Sequence, residues 1–69
     1  MRALVTGGGG FLGTAIVRQL LSRNHAVRTL SRNPHPQLDE LGVEQIRGDV
    51  ADPTIVDRAV DGCEIVFHT

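Results

Sequence analysis

Short apolar runs separated by polar turns recur along the whole chain. In the first of them Ala3, Leu4 and Val5 are consecutive, which is typical of a strand that is covered on both faces. Comparable runs follow three times downstream. The pattern predicts four strands, with bounds at Arg2 to Thr6, Ala26 to Ser31, Val43 to Arg47 and Glu64 to Phe67.

Apolar residues at helical spacing follow the first strand. Leu12, Ile16 and Leu20 recur at intervals of four and form the centre of an apolar stripe, with polar residues on the opposite face. This spacing predicts a helix from Phe11 to about Arg23.

A second long helix is predicted before the fourth strand. Asp52 followed by Pro53 is a strong helix start, because aspartate is a preferred N-cap and proline suits the first helical position. Apolar residues then continue at helical spacing up to Gly62. Between the second and third strands, Gln37 to Leu41 predicts at most a short helix.

Strands that alternate with helices imply right-handed crossovers and a parallel sheet. We therefore predict an α/β fold with a Rossmann-type sheet, in which the strand order is 3-2-1-4. This is the first half of the doubly wound arrangement plus one strand beyond the switch point, and it is a truncated version of that fold. Residues 1–69 are interpreted as one partial dinucleotide-binding domain, with no second domain.

Four consecutive glycines, Gly7 to Gly10, stand at the predicted turn between the first strand and the first helix. Glycine allows the main chain to turn tightly and allows a pyrophosphate to approach its N–H groups. The helix that follows points its unpaired N–H groups at the same place. Two registers of the dinucleotide-binding pattern fit, namely Gly8-x-Gly10-x-x-Gly13 and Thr6-Gly7-x-x-Gly10-x-x-Gly13.

A glycine-rich turn can also be flexible and bind nothing. The position between a strand and a helix favours phosphate binding over a bare turn. A mononucleotide P-loop is excluded, because that motif needs a lysine and the chain contains none.

The residues after the second strand bear on which dinucleotide is bound. In this fold an acidic residue about 20 positions past the glycines contacts the ribose 2′-hydroxyl, whereas an arginine there accommodates a 2′-phosphate. The strand ends in Ser31-Arg32, and no carboxylate follows until Asp39. We interpret Arg32 as a 2′-phosphate ligand, which favours NADP over NAD; the alternative is an ordinary solvated arginine. Asp49 either accepts from the adenine amine or caps the turn after the third strand.

Composition narrows the function classes. The formal net charge of −1 offers no basic surface to a nucleic acid, and no apolar stretch approaches the length needed to span a membrane. The single cysteine, Cys63, excludes an internal disulfide and indicates a small packing residue rather than a nucleophile. We expect a cytoplasmic protein.

The three histidines show no metal-binding spacing, and we predict no metal site. His25 and His35 fall in predicted turns and receive no assigned role. His68 is the only titratable group near the nicotinamide side of the strand ends, and a single histidine there is more typical of packing or solvation than of acid–base catalysis.

Four segments in this order resemble the N-terminal part of an extended short-chain dehydrogenase/reductase. The likeness spans the whole chain and is strongest to the branch of 3β-hydroxysteroid dehydrogenases, dihydroflavonol reductases and 2-alkyl-3-oxoalkanoate reductases. The segments are Thr6-Gly7-x-x-Gly10-x-x-Gly13, Val27-Arg28-x-Leu30-x-Arg32, Gly48-Asp49-Val50 and Val66-Phe67-His68-Thr69.

The resemblance implies a set of cofactor-binding residues. Main-chain groups of the glycine turn and the start of the helix would line the pyrophosphate, Arg32 would hold the 2′-phosphate, and Asp49 with Val50 would contact the adenine. Ser31 stands where NAD-preferring relatives carry aspartate. The predicted cofactor-binding residues are Gly7, Gly10, Phe11, Leu12, Gly13, Arg32, Asp49 and Val50.

One feature of the family is missing. Its members use a Tyr-x-x-x-Lys pair beyond the fourth strand, and this chain contains neither tyrosine nor lysine. We therefore expect no catalytic residue within these 69 residues.

The leading hypothesis is the NADP(H)-binding part of an oxidoreductase that interconverts a ketone and a secondary alcohol, whose substrate binds outside this segment. Two alternatives stay open: a non-catalytic nucleotide-binding module or minimal fold fragment, and an NAD-dependent sugar-nucleotide epimerase or dehydratase. The fourth strand would lack an outer neighbour, so we also predict either that the chain dimerises or aggregates through this edge, or that it is a segment of a much longer protein.

Overall fold

The computed structural model describes residues 1–69 as alternating strands and helices around one sheet. The strands are β1 (Arg2–Thr6), β2 (Ala26–Ser31), β3 (Glu44–Arg47) and β4 (Ile65–His68). The helices are α1 (Phe11–Ser22), α2 (Pro36–Glu40) and α3 (Pro53–Val60). All strand pairs are parallel and the order is β3-β2-β1-β4, which confirms the predicted topology.

The predicted bounds were wrong by one residue in several elements. The strand β4 starts at Ile65, which pairs with Ala3, and it continues to His68. The helix α2 starts at Pro36, because His35 takes the extended N-cap conformation and proline fits the first helical position.

Apolar residues cover both faces of the sheet, as the consecutive apolar residues of β1 predict. On one face, Ala3 and Val5 pack in a core with Val17 of α1 and Leu38 of α2. On the other face, Leu4 packs with residues of β2 and α3. Because β1 and β2 are buried except at Arg2, Ala26 and Ser31, their carboxyl ends are held in fixed positions at one edge of the sheet.

A buried cation links three elements on the α3 face. Arg28 of β2 is only 8% exposed, and its Nη1 donates to the carbonyl oxygens of Ala59 (2.9 Å) and Asp61 (2.6 Å) at the end of α3. Its Nε donates to Glu44 Oε1 of β3 at 2.9 Å. This hydrogen bond raises the pKa of Arg28 above its ordinary value, while burial acts in the opposite direction. Arg28 thus supplies the C-terminal cap of α3.

Candidate functional site

The carboxyl ends of the strands enclose a crevice of about 230 Å³. In an open parallel sheet, ligands bind outside these ends at the point where the strand order reverses, which here lies between β1 and β4. The crevice is lined by Thr6, Gly7, Leu30, Ser31, Arg32, Gly48, Asp49, Val50, His68 and Thr69. It therefore gathers Gly7, Arg32, Asp49 and Val50, four of the predicted cofactor residues.

The glycine turn joins β1 to α1 in a conformation that only glycine adopts readily. Gly7 has a φ of 69°, in the left-handed region, and its carbonyl oxygen accepts from Gly10 N at 3.0 Å. Thr14 Oγ1 donates to Gly8 O at 2.9 Å and ties the turn to the helix. The bend is therefore fixed by its own hydrogen bonds.

Gly13 lies where the helix comes closest to the turn. A Cβ on Gly13 would lie 2.9 Å from Gly8 Cα and 2.8 Å from the carbonyl carbon of Gly7, closer than real side chains come to the main chain. Gly13 is also buried. Its role in this structure is close packing, and it exposes no surface to a ligand.

Gly10 faces open space instead. A Cβ there would meet only Gly7 O, at 3.5 Å, and the residue lines a second cavity of about 360 Å³ together with Gly9, Phe11, Thr14, Ala15 and Arg18. The protein itself does not require glycine at this position for space. The missing side chain keeps the approach to the start of α1 clear.

The N-terminus of α1 is not capped by any side chain. Gly10 is the N-cap residue in an extended conformation, and the hydrogen bond from Thr14 N to Gly10 O, at 2.9 Å, is the first of the helix. The amides of Phe11 and Leu12 precede it, and these residues are 98% and 62% exposed. In α3, by contrast, the Asp52 carboxylate accepts from Thr54 N and Ile55 N. The start of α1 therefore offers main-chain donors and the positive end of its dipole to an external anion.

Arg32 and Asp49 form an ion pair across the mouth of the crevice. Arg32 Nη2 lies 3.1 Å from Asp49 Oδ2; the Arg32 side chain is largely exposed, whereas the Asp49 side chain is 44% exposed. Asp49 Oδ1 accepts from Ala51 N at 2.9 Å, so this carboxylate caps the turn after β3. Asp49 thus caps the turn after β3, which is one of its two predicted roles. Its other oxygen, Oδ2, contacts only the exposed guanidinium of Arg32, which a ligand can displace.

The ends of β1 and β4 are tied together beside the crevice. Thr6 Oγ1 and His68 Nδ1 share a hydrogen bond of 2.7 Å, and Thr69 Oγ1 donates to Thr6 O at 2.5 Å. The contact of His68 is therefore with a neighbouring strand, as expected for a packing residue.

His35 is a residue that the sequence analysis passed over. Its ring lies directly against Gly9, in the space that a Cβ on Gly9 would take. Gln45 of β3 holds the main chain of His35 on both sides, accepting from His35 N at 2.8 Å and donating to His35 O at 3.0 Å. No spacing rule signals this contact, because residues 9 and 35 meet only through the fold.

The comparison with known families decides the class of this site. Residues 7–69 match the model of the family described as NAD(P)H-binding. The chain belongs to this NAD(P)H-binding family. The match begins at Gly7, the first glycine of the turn, and includes every residue that lines the crevice except Thr6.

Proteins similar to this chain are members of the short-chain dehydrogenase/reductase and epimerase superfamily, which confirms the resemblance seen in the sequence. The chain is 54% identical over 68 residues to the 2-alkyl-3-oxoalkanoate reductase of Stenotrophomonas maltophilia, which covers 99% of the chain and 21% of that relative. It is 45% identical over 73 residues to the 3 beta-hydroxysteroid dehydrogenase/Delta 5-->4-isomerase of Mycobacterium tuberculosis, covering 99% and 18%.

A solved structure shares the same architecture. A short-chain dehydrogenase/reductase superfamily protein from Agrobacterium tumefaciens, with bound NAD, superposes with a TM-score of 0.83 at 29% identity, covering all of this chain and 20% of that one. Sugar-nucleotide epimerases also share the fold. The chain spans about a fifth of the length of the curated relatives it matches. No helix in the chain is long and apolar enough to cross a membrane.

Proposed function

We propose that this chain is the NADP(H)-binding portion of an oxidoreductase that interconverts a ketone and a secondary alcohol. The observation that carries the proposal is the uncapped start of α1 beside Gly10, whose approach no side chain blocks. The names of the relatives, a 2-alkyl-3-oxoalkanoate reductase and a 3β-hydroxysteroid dehydrogenase, support ketone–alcohol chemistry.

The residues present fit a dinucleotide. The amides of Phe11 and Leu12 would bind the pyrophosphate, Gly7 and Gly10 would let it approach, and Gly13 would keep α1 close enough to aim those amides. Asp49 and Val50 would contact the adenine at the far side of the crevice. When bound, the nicotinamide ring supplies the hydride. The chain's own residues hold and orient the dinucleotide, and the groups that act on substrate lie outside these 69 residues.

Arg32 supports NADP(H) rather than NAD(H). Its guanidinium lies at the mouth of the crevice after β2, where the ribose 2′ position is expected, and the carboxylate of its partner Asp49 is in part open to solvent. A 2′-phosphate would present a stronger partner than a solvated carboxylate, because a guanidinium binds phosphate in a bidentate manner.

The test is a calorimetric titration of the full-length protein with NADPH and with NADH. The same titrations are repeated with the Arg32→Ala variant. We expect tighter binding of NADPH and a loss of that preference in the variant, with NADH affinity unchanged. Arg23→Ala is the matched control, because Arg23 is exposed at the C-terminal end of α1, far from the glycine turn. Equal affinities for the two cofactors would refute the 2′-phosphate role, and failure to bind either would refute the proposed function.

A further inference from the structure

We propose that His35 is a cofactor-binding residue that donates a hydrogen bond to the 2′-phosphate and works with Arg32 to select NADP(H). This inference rests on the proposed function and adds a second side chain to it. The observation behind it is the contact of the His35 ring with Gly9 inside the glycine turn.

Hydrogen bonds to the main chain of His35 hold this residue in place. Gln45 Oε1 accepts from His35 N and Gln45 Nε2 donates to His35 O, while the same Nε2 donates to Asp39 Oδ1 at 2.7 Å. These bonds anchor the loop to β3 and to α2. Because they use only main-chain atoms of His35, both imidazole nitrogens stay free for a ligand, and at least one of them always carries a proton.

The position of the ring favours the 2′-phosphate over the pyrophosphate. Gly9 belongs to the side of the turn that faces β2, since its neighbour Gly8 lies beside Thr29 of β2 and Leu38 of α2. His35 also follows Arg32 by three residues in the loop that leaves β2. The ribose 2′ position is read at the end of β2, whereas the pyrophosphate lies at the start of α1. His35 therefore lies on the ribose side of the turn.

Two substitutions separate hydrogen bonding from packing. His35→Phe keeps a ring against Gly9 and removes the N–H donor, whereas His35→Gln keeps an N–H donor and removes the ring. We expect His35→Phe to raise the Kd for NADPH roughly tenfold or more, as for one lost hydrogen bond to a charged group. The Kd for NADH should not change, and His35→Gln should restore most of the NADPH affinity. His25→Phe is the matched control, because His25 lies beyond the C-terminal end of α1, at the opposite end of β2.

The same calorimetric series distinguishes failure of this inference from failure of the proposed function. If Arg32→Ala lowers the NADPH preference and His35→Phe does not, His35 only packs on Gly9 and the inference is overturned. Equal losses for NADPH and NADH would place the ring at the pyrophosphate and also overturn it. Tighter binding of both cofactors by His35→Phe would show that the imidazole opposes binding, and this result would also overturn the inference. If wild type binds neither cofactor, the proposed function and this inference fail together.

Discussion

At the scale of single residues, two glycines of one motif do different work. Gly13 is required by the fold, because its Cβ would press into the main chain of the turn, whereas Gly10 faces open space. The sequence motif could not separate these roles, since the pattern contains only glycines at fixed spacing. The three-dimensional approach of α1 to the turn separates them.

This difference predicts that an added methyl group destabilises the protein at Gly13 but not at Gly10. Gly13→Ala should lower the free energy of unfolding by about 1–3 kcal/mol or more, because the added carbon overpacks a buried contact. Gly10→Ala is the matched control and should leave stability nearly unchanged. Urea denaturation followed by circular dichroism measures both. Equal stabilities for the two variants would contradict the close packing of Gly13.

Gly10→Val tests whether a dinucleotide binds at the glycine turn. The branched side chain would project into the open approach to α1, and we expect it to abolish dinucleotide binding while the unfolding midpoint stays close to that of wild type. Calorimetry with NADPH measures the first effect and thermal denaturation measures the second. If a folded Gly10→Val variant keeps its affinity for NADPH, the pyrophosphate does not bind at this turn.

The ion pair between Arg32 and Asp49 yields another prediction at this scale. Asp49 competes with a 2′-phosphate for the guanidinium and repels it, so Asp49→Asn should increase the preference for NADPH over NADH. The expected gain is roughly two- to fivefold, the size of an exposed charge interaction. The amide keeps an oxygen for the adenine amine, so NADH affinity should hold. A lower preference in fluorescence titrations would mean that Asp49 orients Arg32 rather than competing for it.

At the scale of helices and strands, most of the fold could be predicted from the hydrophobic pattern. The consecutive apolar residues of β1 predicted its burial on both faces, and the Asp52-Pro53 start of α3 was recognised from local chemistry that needs no tertiary contact. Contacts between distant elements were not predictable in the same way. Arg28 sits in β2 like any polar strand residue in the sequence, and its capping of α3 arises only when the crossover places residues 59 and 61 beside it.

Arg28→Met should therefore destabilise α3 and the sheet together. The carbonyl oxygens of Ala59 and Asp61 would lose their donor, and we expect a loss of about 2–3 kcal/mol in the free energy of unfolding. Arg58→Met, on the exposed side of α3, is the control. A cation whose pKa is raised by folding stabilises at every pH below its unfolded-state value. The difference between wild type and Arg28→Met should thus stay constant from about pH 6 to 9. Loss of this difference within that range, measured by urea denaturation, would contradict the capping role.

At the scale of the whole molecule, β4 leaves one edge of the sheet open. It pairs only with β1, and Ile65 and Val66 are 38% and 49% exposed. A short apolar parallel strand with unpaired main-chain groups is a template for another strand.

We predict that the 69-residue chain self-associates through β4 as its concentration rises. Val66→Lys should weaken this association, because a lysine on an edge strand opposes pairing, whereas Ser22→Lys, on the exposed end of α1, should not. Sedimentation velocity across a hundredfold range of concentration measures both variants, and a wild-type chain that remains monomeric throughout would exclude edge pairing.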